Sequence, residues 1–406
     1  MKEIPGKKLA LAATAASVMF IGGPVAGTQD GSAAADSINV TGSAFYSPRH
    51  IMARSIVAYG EAVTEATDGR VEFEWYYGDS LVTPGEMPRS LNAGIVDLAY
   101  LVPAYNPADF PADQWASLLG YGNDDRPVVG LLAAAAASIE LGLSVPALAD
   151  EIETSGSVPL IPRFQNWDNY QLLCNDPVTT LEDASGKRVR VGGDAFERLA
   201  RSLGMSPVTV SGGEIFESLD RGVVDCFMGG EGDMVGLGLW EIANNYTPIM
   251  AAGWNSFSLA AGESFFNELD EDVQDAFRDN LAVLIEQYYT NYLIDQYEFF
   301  RTAGERHGMA FHEPSEDLVQ AVEEHYDGIR DYLIANAPDV IPNPEEVIDE
   351  YDRLLADWAD LIVELGYDPG TYSRVEWASR GPDEIDIDLG PWAAEVQSRI
   401  FDEYVD

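Results

Sequence analysis

Apolar and polar positions along this chain follow two periods, one near two residues and one near 3.6, and the two take turns. SINVTGSAFY (37–46) reads as a short strand, and RHIMARSIVAYGEAVTEATDG as a helix ended by Gly69. RVEFEWYY alternates as a strand, LVTPGEMPRSLNAG gives a short helix closed by Gly94, and IVDLAYLV a buried strand. A second helical region covers 127–153 and contains the run AAAAAS. SVPLIPRF, YQLLC, KRVRV and SPVTVS are strands, and DAFERLARSLG is an amphipathic helix ended by Gly204. GEIFESLDRG is a helix, and VVDCFMGG a strand entering a Gly-rich loop. Beyond Gly253 the pattern turns helical through residue 303, with further helices over 317–335 and 344–365 and a final extension containing EIDIDLGPW. Alternating strands and helices predict an α/β fold with a largely parallel sheet.

One stretch occurs twice. EMPRSLNAGIVD (86–97) and EIFESLDRGVVD (214–225) share Glu, Ser-Leu, Gly, a β-branched pair and Asp at the same spacing. The copies begin 128 residues apart, too far for a solenoid repeat. Gly94 and Gly222 suit the position just past a short helix. Ile95-Val96 and Val223-Val224 open the next buried strand, and Asp97 and Asp225 are placed to accept hydrogen bonds from turn amides. The repeat is an architectural device, not a catalytic one.

Charge narrows the setting. The 406 residues carry 69 Asp and Glu against 23 Lys and Arg, a net charge of −46 spread along the chain. Such a surface repels nucleic acid and anionic membranes, and repels itself unless salt screens it. A high-salt habitat is the expectation. MKEIPGKK followed by LALAATAASVMFIGG and SAAADS reads as an export signal over residues 1–35, with no lipid-acceptor Cys after the apolar run. A soluble, periplasmic protein follows as the expectation. Cys174 and Cys226 end strand-like runs, and either a disulfide or two buried thiols fits them. The two Cys and four scattered His show no metal-ligand spacing, and no cofactor is called for. His50, His307, His312 and His325 sit in polar surroundings and read as exposed.

Residues 181–229, LEDASGKRVRVGGDAFERLARSLGMSPVTVSGGEIFESLDRGVVDCFMG, carry a specific order. Asp183 precedes Gly186-Lys187-x-x-Arg190-Val191; then come Leu203-Gly204-x-x-Pro207-Val208 and Glu214 with Leu219, Gly222, Val223, Val224 and Asp225. This order resembles the solute-binding subunits of TRAP (tripartite ATP-independent periplasmic) transporters, the dicarboxylate-binding-protein (DctP) family. TDGRVEFEWYYGDSL, the Gly94–Asp97 segment followed by FPADQW, and NELDEDVQDAF extend the resemblance from about residue 38 to about 335. It implies a two-lobe, Venus-flytrap periplasmic receptor without catalytic chemistry, with a long helix crossing both lobes and a helical C-terminal extension. Residues 36–160 with 250–290 would form lobe I, 161–249 with 291–335 lobe II, and 336–406 the extension. The receptor, a monomer or homodimer, would bind a carboxylate-bearing solute between the lobes and deliver it to TRAP permease subunits.

Arg190 matches the family's carboxylate-clamping arginine. In KRVRV, Arg188 and Arg190 share one face of a strand, and a planar guanidinium at a strand end grips a carboxylate bidentately. Arg188 reads as the surface partner. Two departures stand out. The second cleft arginine of many members is missing from NWDNYQLLCN, with Arg163 as a substitute, and Gly229 falls where many carry Asn. Tyr46, Tyr100, Gln165, Trp167, Phe227, Trp254 and Asn255 lie at strand ends or crossovers and are candidates to wall an apolar ligand body, with core packing the alternative for each. Trp240 reads as helix packing. The rival functions are the receptor of an ATP-driven importer or of a sensory system, and an exported hydrolase. The last lacks Gly-x-Ser-x-Gly and His-Glu-x-x-His.

Overall fold

The computed structural model describes residues 37–44, 46–123, 126–165, 169–252, 256–367 and 387–404. The export signal expected over 1–35 lies outside them. The strands are β1 (Ile38–Ala44), β2 (Val71–Tyr77), β3 (Leu98–Leu101), β4 (Ser157–Gln165), β5 (Tyr170–Cys174) and β6 (Arg188–Val191). Then follow β7 (Ser206–Thr209), β8 (Cys226–Gly229), β9 (Asn245–Ala251), β10 (Ser256–Gly262) and β11 (Ala310–Phe311).

They form two sheets, ordered β2-β1-β3-β10-β4 and β11-β9-β5-β8-β6-β7. In the first, β1 runs parallel to β2 and β3, and β10 lies antiparallel between β3 and β4. In the second, β6 runs parallel to β7 and β8, and β5 lies antiparallel between β8 and β9. The two sheets are one plan used twice. Each lobe takes its antiparallel strand from the far side of a crossover, β4 to β5 in one direction and β9 to β10 in the other. Because β4 pairs with β10 as far as Gln165, the first crossing falls after Gln165, five residues later than the boundary expected at 160.

The duplicated stretch explains the repetition at atomic level. The Ser90 carbonyl accepts from Ile95 and Val96 N–H, as the Ser218 carbonyl accepts from Val223 and Val224 N–H. Gly94 and Gly222 sit at φ 66° and 65°, the left-handed region where a side chain is strained. Asp97 Oδ2 accepts from Thr41 N–H on β1, and Asp225 Oδ2 from Arg188 N–H on β6, each at 2.8 Å. Each Asp therefore ties the start of its own strand to the neighbouring one. The strands begin later than the pattern suggested: Ile95 and Val223 are both 51% exposed, and β3 and β8 open at Leu98 and Cys226.

Helix Ile51–Ala66 buries Ile51, Met52, Ile56, Tyr59 and Val63, a stripe at three- and four-residue spacing. The long helix Leu281–His307 packs on it and on the short helix Glu231–Gly236 of the second lobe. Its Leu281, Leu284, Tyr288 and Tyr292 join one core, and Phe299 and Ala303 join another with Leu173, Phe227 and Trp240. Helix Pro127–Ser144 lies between β4 and the C-terminal helix Pro344–Glu364. Its alanines 133–137 are buried, and a Cβ at Gly142 would meet the Arg163 backbone. The extension is held by Trp358 Nε1 donating to Glu140 Oε2 (2.9 Å), Tyr351 Oη donating to Asn123 Oδ1 (3.0 Å) and Trp392 edge-on to Tyr289. The helix expected over 317–335 breaks at Asp327 and Gly328, the latter at φ 75°. Cys174 and Cys226 form a disulfide across the β5–β8 ladder. Among the described residues no single helix is long and apolar enough to cross a membrane.

Candidate functional site

On β6 the two arginines share a face, as their two-residue spacing requires, but they are covered to different extents. Arg188 is exposed and Arg190 is 4% exposed. Arg188 spends its charge on Asp225, Nη2 to Oδ1 at 2.6 Å and Nε to Oδ2 at 3.0 Å, which holds the Asp225 carboxyl below its usual range. Arg190 turns inward. Its Nε donates to the Val210 carbonyl (3.2 Å), and its guanidinium lies 5.6 Å from the centroid of the buried Phe227 ring. Among the described residues no carboxylate forms an ion pair with it.

Phe227 also explains the missing asparagine. A Cβ at Gly229 would overlap the Phe227 ring, so a larger side chain there would displace the floor beneath Arg190.

The first lobe meets this surface through loops that follow its strands. Tyr105, in the one-turn helix Pro103–Tyr105 after β3, accepts a hydrogen bond at its hydroxyl oxygen from Gly212 N–H (3.1 Å). Burial pushes the Tyr105 hydroxyl above the ordinary tyrosine range, and the charge of Arg190 pulls it back. Tyr46, after β1, lies against Gly212 so closely that a Cβ there would overlap its ring. Burial, then Tyr105 and Asp233, raise its hydroxyl, with Arg190 opposing. His50 stacks on Tyr46 at 3.9 Å and faces Gly236. Its Nδ1 accepts from Met52 N–H, capping helix Ile51–Ala66, and its Nε2 lies 3.1 Å from Asp233 Oδ1 on helix Glu231–Gly236. Tyr170, at the start of β5, stacks on Phe196 at 4.1 Å.

Two openings flank this contact. One, of about 1180 Å³, is lined by Tyr46, Arg54, Tyr77, Gly212, Phe216 and Trp240. The other, of about 650 Å³, is lined by Tyr105, Trp115, Gly193, Thr209 and Tyr332. A separate groove of about 1150 Å³, between Pro146–Ser155 and residues 340–347, includes none of the residues around Arg190. Among the described residues no His, Cys, Asp or Glu cluster is arranged to hold a metal.

The structure thus gathers Arg190, Phe227 and Tyr46. Tyr100 is nearby but committed to packing: it is 1% exposed, its hydroxyl lies 3.0 Å from Ser55 Oγ, and its ring meets Phe164 and Phe257. Arg163 is fully buried and ion-paired with Asp113, whose Oδ1 also accepts from Ser256 Oγ. Trp167, Trp254, Asn255 and the Gln165 side chain lie outside the described residues. Trp240 stacks on His307 (4.4 Å) and Phe299, the helix packing expected. The expectation of exposed histidines is corrected: His50 is fully buried, and His307, His312 and His325 are half-buried. Burial lowers the His325 pKa, with Arg198 adding to the effect.

Sequence reasoning missed Tyr105, His50 and Asp233. Tyr105 carried the same signal as Tyr46, an aromatic just past a strand of the first lobe. His50 and Asp233 acquire their meaning only once the lobes face each other.

Comparison with known proteins agrees with this architecture. A solute-binding protein of Sulfitobacter sp. (strain NAS-14.1) is 22% identical over 259 residues, 61% of this chain and 76% of the relative. The crystal structure of an extracytoplasmic solute receptor of Bordetella pertussis binding pyroglutamic acid matches with a TM-score of 0.63 at 19% identity, over 78% of this chain and 99% of that one. A TRAP periplasmic solute-binding protein of Bordetella bronchiseptica with bound mandelate matches with a TM-score of 0.66 at 19% identity, over 79% and 99%. These likenesses establish the two-lobe fold. The model of the DctP family, described as bacterial extracellular solute-binding protein, family 7, matches residues 42–335, and the chain belongs to that family.

Proposed function

We propose that this protein is the extracytoplasmic receptor of a TRAP transporter, and that it takes a carboxylate-bearing organic acid between its lobes for delivery to an ion-gradient-driven permease. One observation carries the reading: Arg190 is 4% exposed, yet no described carboxylate pairs with it in a chain holding 69 acidic side chains. A buried guanidinium without an acid is costly, and an incoming carboxylate removes that cost with two parallel charge-assisted hydrogen bonds. Phe227 beneath the guanidinium and the Val210 carbonyl at Nε fix its plane. The acid ligands of the solved relatives, pyroglutamate and mandelate, support the same chemistry. The expected export signal supports a periplasmic location.

The test is calorimetric titration of the mature protein with organic acids and their neutral amides. Wild-type protein should bind an acid and ignore its amide. Arg190→Ala should weaken binding at least a hundredfold, since losing one partner of a buried charge pair costs about 3–5 kcal/mol. Arg190→Lys should recover only part of this, because an ammonium lacks the planar fork. Near-native affinity in folded Arg190→Ala protein would remove the carboxylate assignment.

A further inference from the structure

Helix Glu231–Gly236 carries two buried carboxylates with different fates. Glu231 has both oxygens engaged: Oε1 accepts from Tyr246 Oη at 2.6 Å and Oε2 from Gln296 Nε2 at 3.2 Å. It is a structural acid, tying the second lobe to the long helix. Asp233 is 4% exposed and has one oxygen engaged, Oδ1 with His50 Nε2. Among the described residues its Oδ2 accepts no hydrogen bond.

Asp233 also shares a neighbourhood with Arg190. A continuous chain of contacts links them. His50 stacks on Tyr46, Tyr46 lies against Gly212, Gly212 N–H reaches the Tyr105 hydroxyl, and Arg190 holds the Val210 carbonyl two residues away. The hydroxyls of Tyr46 and Tyr105 feel both charges, Asp233 raising and Arg190 lowering each. Among the described residues, a cation without an acid and an acid with one open oxygen thus stand at the two ends of that chain of contacts.

Resting on the reading of Arg190 as the carboxylate clamp, we propose that the solute is an acid that also carries a nitrogen-bound hydrogen, which it donates to Asp233 Oδ2. A buried carboxylate with an open oxygen favours a donor and repels a second anion. A dicarboxylate would bring its second negative charge towards Asp233, with the attraction of Arg190 already used. An amino acid or a cyclic amide acid satisfies both ends at once. His50 orients the Asp233 carboxylate from the opposite lobe, so the second end is complete only when the lobes meet.

The experiment is titration of the wild-type mature protein with paired acids, one member of each pair carrying an N–H that the other lacks. The pairs are pyroglutamate and its lactone counterpart, proline and tetrahydrofuran-carboxylate, and alanine and propionate, with glutarate as the dicarboxylate. In at least one pair the N–H member should bind tenfold or more tightly than its partner and than glutarate. Asp233→Asn should narrow that ratio to about twofold, because an amide can turn its own N–H toward the ligand. The wild-type comparison stands even if that variant fails to fold. If pairs bind alike while binding still depends on Arg190, or if glutarate binds best, the Asp233 assignment falls and the carboxylate reading survives. If no acid binds, or binding ignores Arg190→Ala, both fall together.

Discussion

Breaking the disulfide between Cys174 and Cys226 gives a sharp quantitative test of how the second lobe is held. The bond joins residues that face each other in the antiparallel β5–β8 ladder but stand 52 apart in sequence. Closing a loop of that length lowers the entropy of the unfolded chain by an amount worth about 4 kcal/mol at 25 °C. Both cysteines are buried, at 1% and 0% exposure, so reduction opens no cavity, and the two thiols must part to van der Waals contact in a packed site. The lost cross-link is therefore the lower bound on the difference between oxidised and reduced protein. With a urea dependence of about 3 kcal/mol per molar, the second-lobe transition should fall by a little over 1 M or more. Near-ultraviolet circular dichroism during urea unfolding, with free thiols counted at each point, is the assay. An unchanged midpoint in protein shown to carry two free thiols would refute the argument. It would mean that the unfolded chain already keeps β5 and β8 together.

Two further outcomes follow. Gly94→Ala and Gly222→Ala should each cost about 1 kcal/mol and cost the same, because an added Cβ meets nothing within 4 Å at either site and only the positive φ is penalised; paired thermal melts check this, and clearly unequal losses would break the equivalence of the two lobes. Melting temperature should climb from low salt to molar sodium chloride, since screening relieves self-repulsion at a net charge of −46, and a flat profile would count against a high-salt protein.

The strand and helix order was legible because each element carries its own period, and the duplicated glycine-to-aspartate stretch exposed two equivalent lobes before any coordinates. Arg190 stands out by its place in the ordered motif rather than by alternation: it shares a face of β6 with Arg188, and Arg188 is the one that meets Asp225 while Arg190 is covered. The burial of His50 was not. Its neighbours in sequence, Pro48, Arg49 and Met52, give no hint, because two of the groups that enclose it, Gly236 and Asp233, come from one helix of the other lobe, Asp233 standing 183 residues away. The partner of Arg163 was hidden for the complementary reason. An arginine in a strand looks available until Asp113, fifty residues earlier, arrives against it. Local period reveals which way a side chain points, and long-range closure decides what it meets.

The helix Leu281–His307 has a mechanical consequence. Its early turns are seated in the core with Tyr288 and Tyr292, and its late turns in the core with Phe299 and Trp240. Two crossover segments, between β4 and β5 and between β9 and β10, join the same bodies. The chain therefore passes between the two sheets three times, and a pull on either half is carried by covalent links as well as by packing. Neither half can be cut out as one continuous segment of sequence, because each is assembled from stretches on both sides of a crossing.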